Sequence, residues 1–328
     1  MAVTPPAFRT DRAAVFDWAE RGVIAPDRLA EALAVTGITP GARDWREFLD
    51  TFLLWTGAAS IGAGAIFFIA ANWDALGRFA RFGLVELFLV LAVLAAWRLG
   101  IDRVSGKAAL LVATLATGGL LALFGQTYQT GADTFELFAN WALLVLPWVA
   151  VARFAALWML WLVIGNLAVA MYFQVRPNFL GIVMTSENQA WALFALNTVA
   201  WAVWEILSRR LAWLDESWAI RVLATASGVL ITGLSVVRML DTQLDAFTAL
   251  VHILWFAAVY VVYRRLTRDL FMVAGACLSA IITVSVVMTD TLAEGGGDSV
   301  PLLIGLVVIG MTAAAASWLR RIAAEPIA

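Results

Sequence analysis

The sequence predicts an all-α protein: a polytopic transmembrane bundle of ten helices with both termini in the cytoplasm. Three observations predict it. Of 328 residues, 62% are hydrophobic and 14% charged, with a mean hydropathy of +0.87. Soluble domains carry about 45–50% apolar and about 25% charged residues, so a soluble core of this length has no room for the excess. Ten stretches are apolar over roughly the 20 residues that a helix needs to cross the hydrocarbon core. Charge also sorts by side. With the N-terminus inside, 18 of the 22 Lys and Arg fall in cytoplasmic segments, leaving only Arg78, Arg81, Arg176 and Arg238 outside. That is the positive-inside asymmetry expected of a bundle with this number of crossings.

The elements follow in order. Residues 1–51 form a cytoplasmic segment of short amphipathic helices. Charges from Arg9 to Glu31 interrupt every apolar run there, which excludes a signal peptide. Phe8, Val15, Phe16 and Trp18 make one apolar stripe that Gly22 ends. Pro26 suits the first position of a second helix, in which Leu29 and Leu33 share a face, and Thr39-Pro40-Gly41 breaks it. The spans are 52–72, 79–99, 106–125, 137–152, 154–173, 188–207, 219–237, 246–263, 270–289 and 301–318, and a short cytoplasmic tail covers 319–328. The fourth and fifth spans are read as two helices joined tightly at Arg153, with one long span plus a re-entrant piece as the alternative. Pro147 lies within the fourth.

Several chemistries are excluded. A single cysteine, Cys277, allows no intrachain disulfide, and a single histidine, His252, allows no His-rich or Cys-rich metal site. The net charge of −2 offers no basic surface for nucleic acid. No phosphate-binding or dinucleotide Gly-rich motif occurs in a strand–helix setting. Gly295-Gly-Gly-Asp298 sits in a polar loop without a second intramembrane Asp, so aspartyl-protease chemistry has no carboxylate pair. No enzyme, metal or cofactor is expected.

Two stretches point to a family. Ile69-Ala-Ala-Asn-Trp-Asp74 precedes Arg78, Arg81 and Glu86; Gly125-Gln-Thr-Tyr-Gln-Thr-Gly-Ala-Asp133 precedes Leu137-Phe-Ala-Asn-Trp141 and Leu146-Pro-Trp148. With the tail motifs Trp18-Ala-Glu-Arg-Gly22 and Ile24-Ala-Pro-Asp27, residues 8–150 resemble the DUF2157 family of bacterial membrane proteins. The resemblance implies the bacterial inner membrane and a multi-pass architecture, and no activity.

Polar groups inside the spans are the candidate site, because an ionisable group costs about 2.5–3.5 kcal/mol at a helix centre. Glu86 lies eight residues into the second span, about 10–12 Å deep at 1.5 Å per residue. Asn166, Asn197 and His252 lie at comparable depths. The four could line one cavity open to the outside; alternatively, the Asn residues are helix–helix hydrogen bonds. A second candidate is the outer loop 125–136, with Gln126, Tyr128 and Asp133, which either holds a ligand or caps its own helix ends. Small residues four apart in the first span (Ala58/Gly62, Ser60/Gly64) are read as packing, within the chain or in a homodimer. The functional expectation is a transporter-like or lipid- or solute-handling bundle with an outward-facing polar cavity. The alternative is a non-transporting envelope scaffold that binds partners. The bilayer is the expected surrounding in both.

Overall fold

In the computed structural model, residues 12–36, 39–71, 76–128, 131–175, 178–179, 182–183, 185–241, 245–293 and 300–325 are described. Phe8, the Asn72–Asp74 motif, Gln129, Thr130 and the Gly295–Asp298 motif lie outside them. Twelve α-helices appear among the described residues: α1 (Arg12–Glu20), α2 (Leu29–Val35), α3 (Ala42–Ala71), α4 (Arg78–Leu99), α5 (Val104–Tyr128), α6 (Thr134–Ala152), α7 (Ala155–Val175), α8 (Ser186–Ser208), α9 (Ser217–Asp241), α10 (Ala246–Val259), α11 (Leu270–Ala293) and α12 (Val300–Ala324). A two-residue hairpin, β1 (Asn178–Phe179) against β2 (Ile182–Val183), separates α7 from α8. Nine of the described helical segments, from α4 to α12, are long and apolar enough to cross a membrane. The first expected span, 52–72, overlaps the 30-residue α3. The fold is therefore an all-α polytopic bundle.

The chain divides into two compact units, residues 1–116 and 117–328. In the first, α1 ends where Gly22 takes φ +75°, and a 3-10 turn over Pro26–Arg28 starts α2. Gly62 of α3 is buried, and a Cβ there would meet Leu115 of α5 at 3.9 Å, whereas at Gly57 and Gly64 it would meet nothing within 4 Å. Helices α4 and α5 turn sharply at Gly100, φ +87°. Gly106 must stay small because a Cβ would overlap the Gly100 carbonyl. Ala92, Val112 and Ala113 close the α4–α5 contact.

In the second unit, α6 and α7 form the tightly joined pair. Arg153 breaks the chain between them in the left-handed region, φ 44°, and the Trp161 indole donates to the Ala142 carbonyl at 3.0 Å. Residues 142 and 161 lie 11 and 8 residues from the break, as in two helices that fold back on each other, and each helix is long and apolar enough to cross a membrane. Helix α6 continues through Pro147. One expectation is corrected here. Helix α5 runs to Tyr128, so Gln126 and Tyr128 occupy its last turn and not a loop. The run Leu120–Phe124 is apolar, and a lone Gly125 costs only about 1 kcal/mol relative to Ala, too little to end a helix.

The main core of this unit gathers Trp201 and Trp204 of α8, Leu223 and Ile231 of α9, and Trp255 and Val259 of α10. Helix α9 packs against α8, α10 and α11. Beyond Val259 the chain widens into a π-helical stretch, Tyr260–Leu266, which turns Tyr263 into the core at 3% exposure. Such widening commonly marks a position where side-chain placement overrides helix regularity. Arg268, at φ 53°, then starts the turn into α11.

Candidate functional site

Helix α8 presents a residue with a polar side-chain group every four positions on one face: Asn197, Trp201, Glu205 and Arg209. Each is engaged. The Asn197 amide donates to Asn166 Oδ1 of α7 at 2.6 Å and to the Leu193 carbonyl at 2.8 Å. Asn166 Nδ2 donates to the Leu162 carbonyl at 2.8 Å and, at 3.4 Å, back to Asn197 Oδ1. All four amide protons of the pair are thus placed, two between the helices and two on their own helix carbonyls.

One turn along, the Trp201 indole donates to the Tyr263 hydroxyl at 2.7 Å, and that hydroxyl donates to Glu205 Oε2 at 2.9 Å. Arg209 pairs with the other carboxylate oxygen of Glu205 at 3.1 Å. The Trp201 and Tyr263 rings stack with centroids 6.0 Å apart. Thr198 and Ser227 share a proton at 2.7 Å across α8 and α9. At the far end of the same helix pair, Arg238 of α9 bonds Glu187 of α8 at 2.6 Å.

His252 is the centre of the second arrangement. It is 4% exposed and stacked on Phe256, with centroids 4.5 Å apart and planes 11° from parallel. Its Nδ1 lies 2.8 Å from Ser235 Oγ of α9, and its Nε2 lies 3.0 Å from Ser279 Oγ of α11. Ser279 meets Thr232 Oγ1 at 2.6 Å. Both ends of this chain rest on helix carbonyls, since Ser235 donates to Ile231 O at 3.0 Å and Thr232 to Gly228 O at 2.6 Å. Three helices are tied by one imidazole.

The expected residues are therefore distributed. The structure brings Asn166 and Asn197 together, while the ring nitrogens of His252 bond Ser235 and Ser279. Glu86, on α4 in the first unit, is exposed. Gln126 and Tyr128 are exposed on α5, Tyr128 against Phe124 at 4.8 Å. Asp133 stands at the N-cap position of α6, where its carbonyl accepts from the Glu136 amide at 3.0 Å. The Glu205–Tyr263–Trp201 cluster was not foreseen, although the four-residue spacing along α8 signalled it. Among the described residues no group of three or more His, Cys, Asp or Glu could hold a metal ion.

The Asn pair makes a direct prediction. Asn166→Leu or Asn197→Leu alone strands the remaining amide oxygen and should cost about 1 kcal/mol. The double substitution should cost less than the sum, with a coupling of about 0.6–1.7 kcal/mol, the range for interhelical polar pairs in bilayers. Reversible unfolding in mixed micelles measures this cycle, and strict additivity would deny the bond.

No curated protein and no solved structure matches the chain. Residues 16–158, from the tail helices to the start of α7, match the family DUF2157, described as "Predicted membrane protein".

Proposed function

We propose that this chain is a non-transporting scaffold of the bacterial inner membrane. In this reading the helical tail, residues 1–51, and both termini lie in the cytoplasm, and the tail and outer loops dock partners. The observation that carries it is the pairing of three intramembrane polar groups of the second unit, Asn166, Asn197 and His252. Asn166, Asn197 and His252 spend their hydrogen bonds on neighbouring helices, as ties do, whereas groups that line a solute path keep some of them for the solute. The tail supports the partner-binding half of the reading. Trp18, Val23 and Val35 are exposed there, at 41%, 73% and 82%. The distribution of Lys and Arg supports the orientation.

One group favours the solute-handling alternative. Glu86 is an exposed carboxylate within the α4 span, and an ionisable side chain at that position marks a functional site by default.

Deleting residues 1–41, which ends the cut just before α3, tests the proposal. The shortened chain should insert, stay monodisperse and keep its melting temperature. It should also lose any cross-link that the full chain forms with a partner from the cytoplasmic face. Collapse of the bundle on deletion, or tail labelling from outside intact cells, would contradict it.

A further inference from the structure

Of the nine arginines from Arg209 to Arg321, eight gather at one end of helices α8–α12, and Arg238 lies at the other. Five acidic side chains share the crowded end: Glu205, Asp215, Glu216, Asp269 and Glu325. Three of them are spent on structure. Glu205 pairs with Arg209, Asp269 with Arg221 at 2.9 Å, and Glu325 with Arg264 at 2.7 Å. The last pair draws the end of α12 onto the Tyr260–Leu266 turn, so the exposed Arg320 and Arg321 stand at the same corner as Arg265.

Arg265 differs from the rest in where it points. It is exposed and has no acidic partner among the described residues. Its guanidinium lies 5.7 Å from the centroid of the Tyr260 ring, and that tyrosine is itself 43% exposed. The π-helical widening creates this stack, because its i→i+5 bonding sets position 265 over 260, where an α-helical turn would set it over 261. Helix side chains also lean toward the N-terminus, which from position 265 is the interior of the span Ala246–Leu266. The charge is therefore turned back along the span and held beside an exposed tyrosine, at the level where aromatic rings meet lipid headgroups. An acidic segment arriving from solution calls for side chains that reach away from the bilayer, and this one reaches along it.

Depth and charge together select the occupant. Phospholipid phosphates lie just outside a hydrocarbon core about 30 Å thick, a distance that the 21 residues of this span cover. A planar guanidinium grips a phosphate through two parallel N–H donors. The surplus of arginine at this end favours a headgroup without a compensating ammonium, by about fivefold for each basic residue near the surface.

We propose that the corner between the Tyr260–Leu266 turn and the end of α12 holds one anionic phospholipid, its phosphate on the Arg265 guanidinium and an acyl chain along the exposed Tyr260, Ala257 and Ile253. The site depends neither on the scaffold reading nor on which face of the membrane this end occupies.

The test is single-site binding of dioctanoyl phosphatidylglycerol and dioctanoyl phosphatidylcholine to the full chain in detergent, read by native mass spectrometry. Wild type should hold one phosphatidylglycerol more tightly than phosphatidylcholine, by about fivefold or more. Arg265→Gln should weaken phosphatidylglycerol by about 5- to 10-fold and leave both phosphatidylcholine binding and the melting temperature unchanged, since the side chain is exposed. Tyr260→Leu, which releases the guanidinium from its stack, should weaken phosphatidylglycerol by about 2- to 5-fold. Arg210→Gln is the control, because it removes an exposed charge from the same end on the α8 side and should change neither Kd. Equal affinities for the two lipids in wild type would overturn the proposal. Equal weakening by Arg265→Gln and Arg210→Gln would also overturn it, by replacing a site with diffuse attraction. Displacement of the lipid by a polyglutamate peptide would assign the corner to a soluble acidic partner instead.

Discussion

His252→Ala is expected to destabilise the second unit by about 3 kcal/mol, summing two interhelical hydrogen bonds, one aromatic stack and the cavity left behind. The imidazole joins α9 to α11 from α10, so its removal leaves Ser235 and Ser279 facing a void. His252→Phe restores the ring on Phe256 without its nitrogens and should recover roughly half of the loss, since an aromatic pair contributes about 0.5–1.5 kcal/mol beyond its burial. The ranking wild type, Phe, Ala separates hydrogen bonding from volume. Unfolding free energies in mixed micelles measure it, and equal losses for Phe and Ala would mean that the ring's packing contributes nothing.

Gly228→Val should cost about 3 kcal/mol, at the upper end of overpacking penalties. A Cβ at position 228 would lie 2.7 Å from Trp255 Cζ2 and 3.0 Å from Cη2, and the indole is wedged against Phe256 with centroids 5.6 Å apart. Neither wall yields easily, so α9 must move off α10. The Thr232–Ser279 contact would move with it. Gly228→Ala should be milder, and combining it with Trp255→Leu should restore part of the stability by making room. Gly233→Ala, on the same helix, meets nothing within 4 Å and should be neutral or slightly stabilising through helix propensity. Thermal unfolding of these four variants checks the geometry, and a stable Gly228→Val would place Trp255 elsewhere.

The architecture was legible because a bilayer imposes a simple rule. Every expected span lies in a helix or overlaps one, since roughly 20 apolar residues leave the backbone no other way to pair its polar groups. The break at Arg153 was readable as well, as the sole charge between two apolar runs too long together for one crossing. The end of α5 was not. The expected span stops at Gly125, but the helix continues to Tyr128.

The polar groups divide in the same way. Their depth followed from counting along a helix, so Asn166, Asn197 and His252 could be singled out. Their partners could not, because partners depend on helix rotation. Ser235 and Ser279 are hydroxyls that also bond their own helices, so nothing in composition sets them apart. Glu205 lies near a span end, where a carboxylate reads as an interfacial charge, and its partner Tyr263 is turned inward by the π-helical stretch. Glu86 shows the limit of reasoning from depth. The same arithmetic placed His252 and Glu86 at similar depths in their spans, yet His252 is buried and Glu86 exposed.

Water access to the buried chain tests the central claim most directly. Ser235→Cys and Asn197→Cys, each in a Cys277→Ala background, can be exposed to a charged methanethiosulfonate from either face of sealed vesicles. Asp215→Cys, in the exposed turn between α8 and α9, is the reactive reference. Polar groups that serve as helix ties predict no labelling at 235 or 197 until the protein is unfolded in SDS, while 215 labels at once. Labelling of either buried position in the folded protein, from one face and at a rate near that of 215, would contradict the account and give these residues back to an aqueous path.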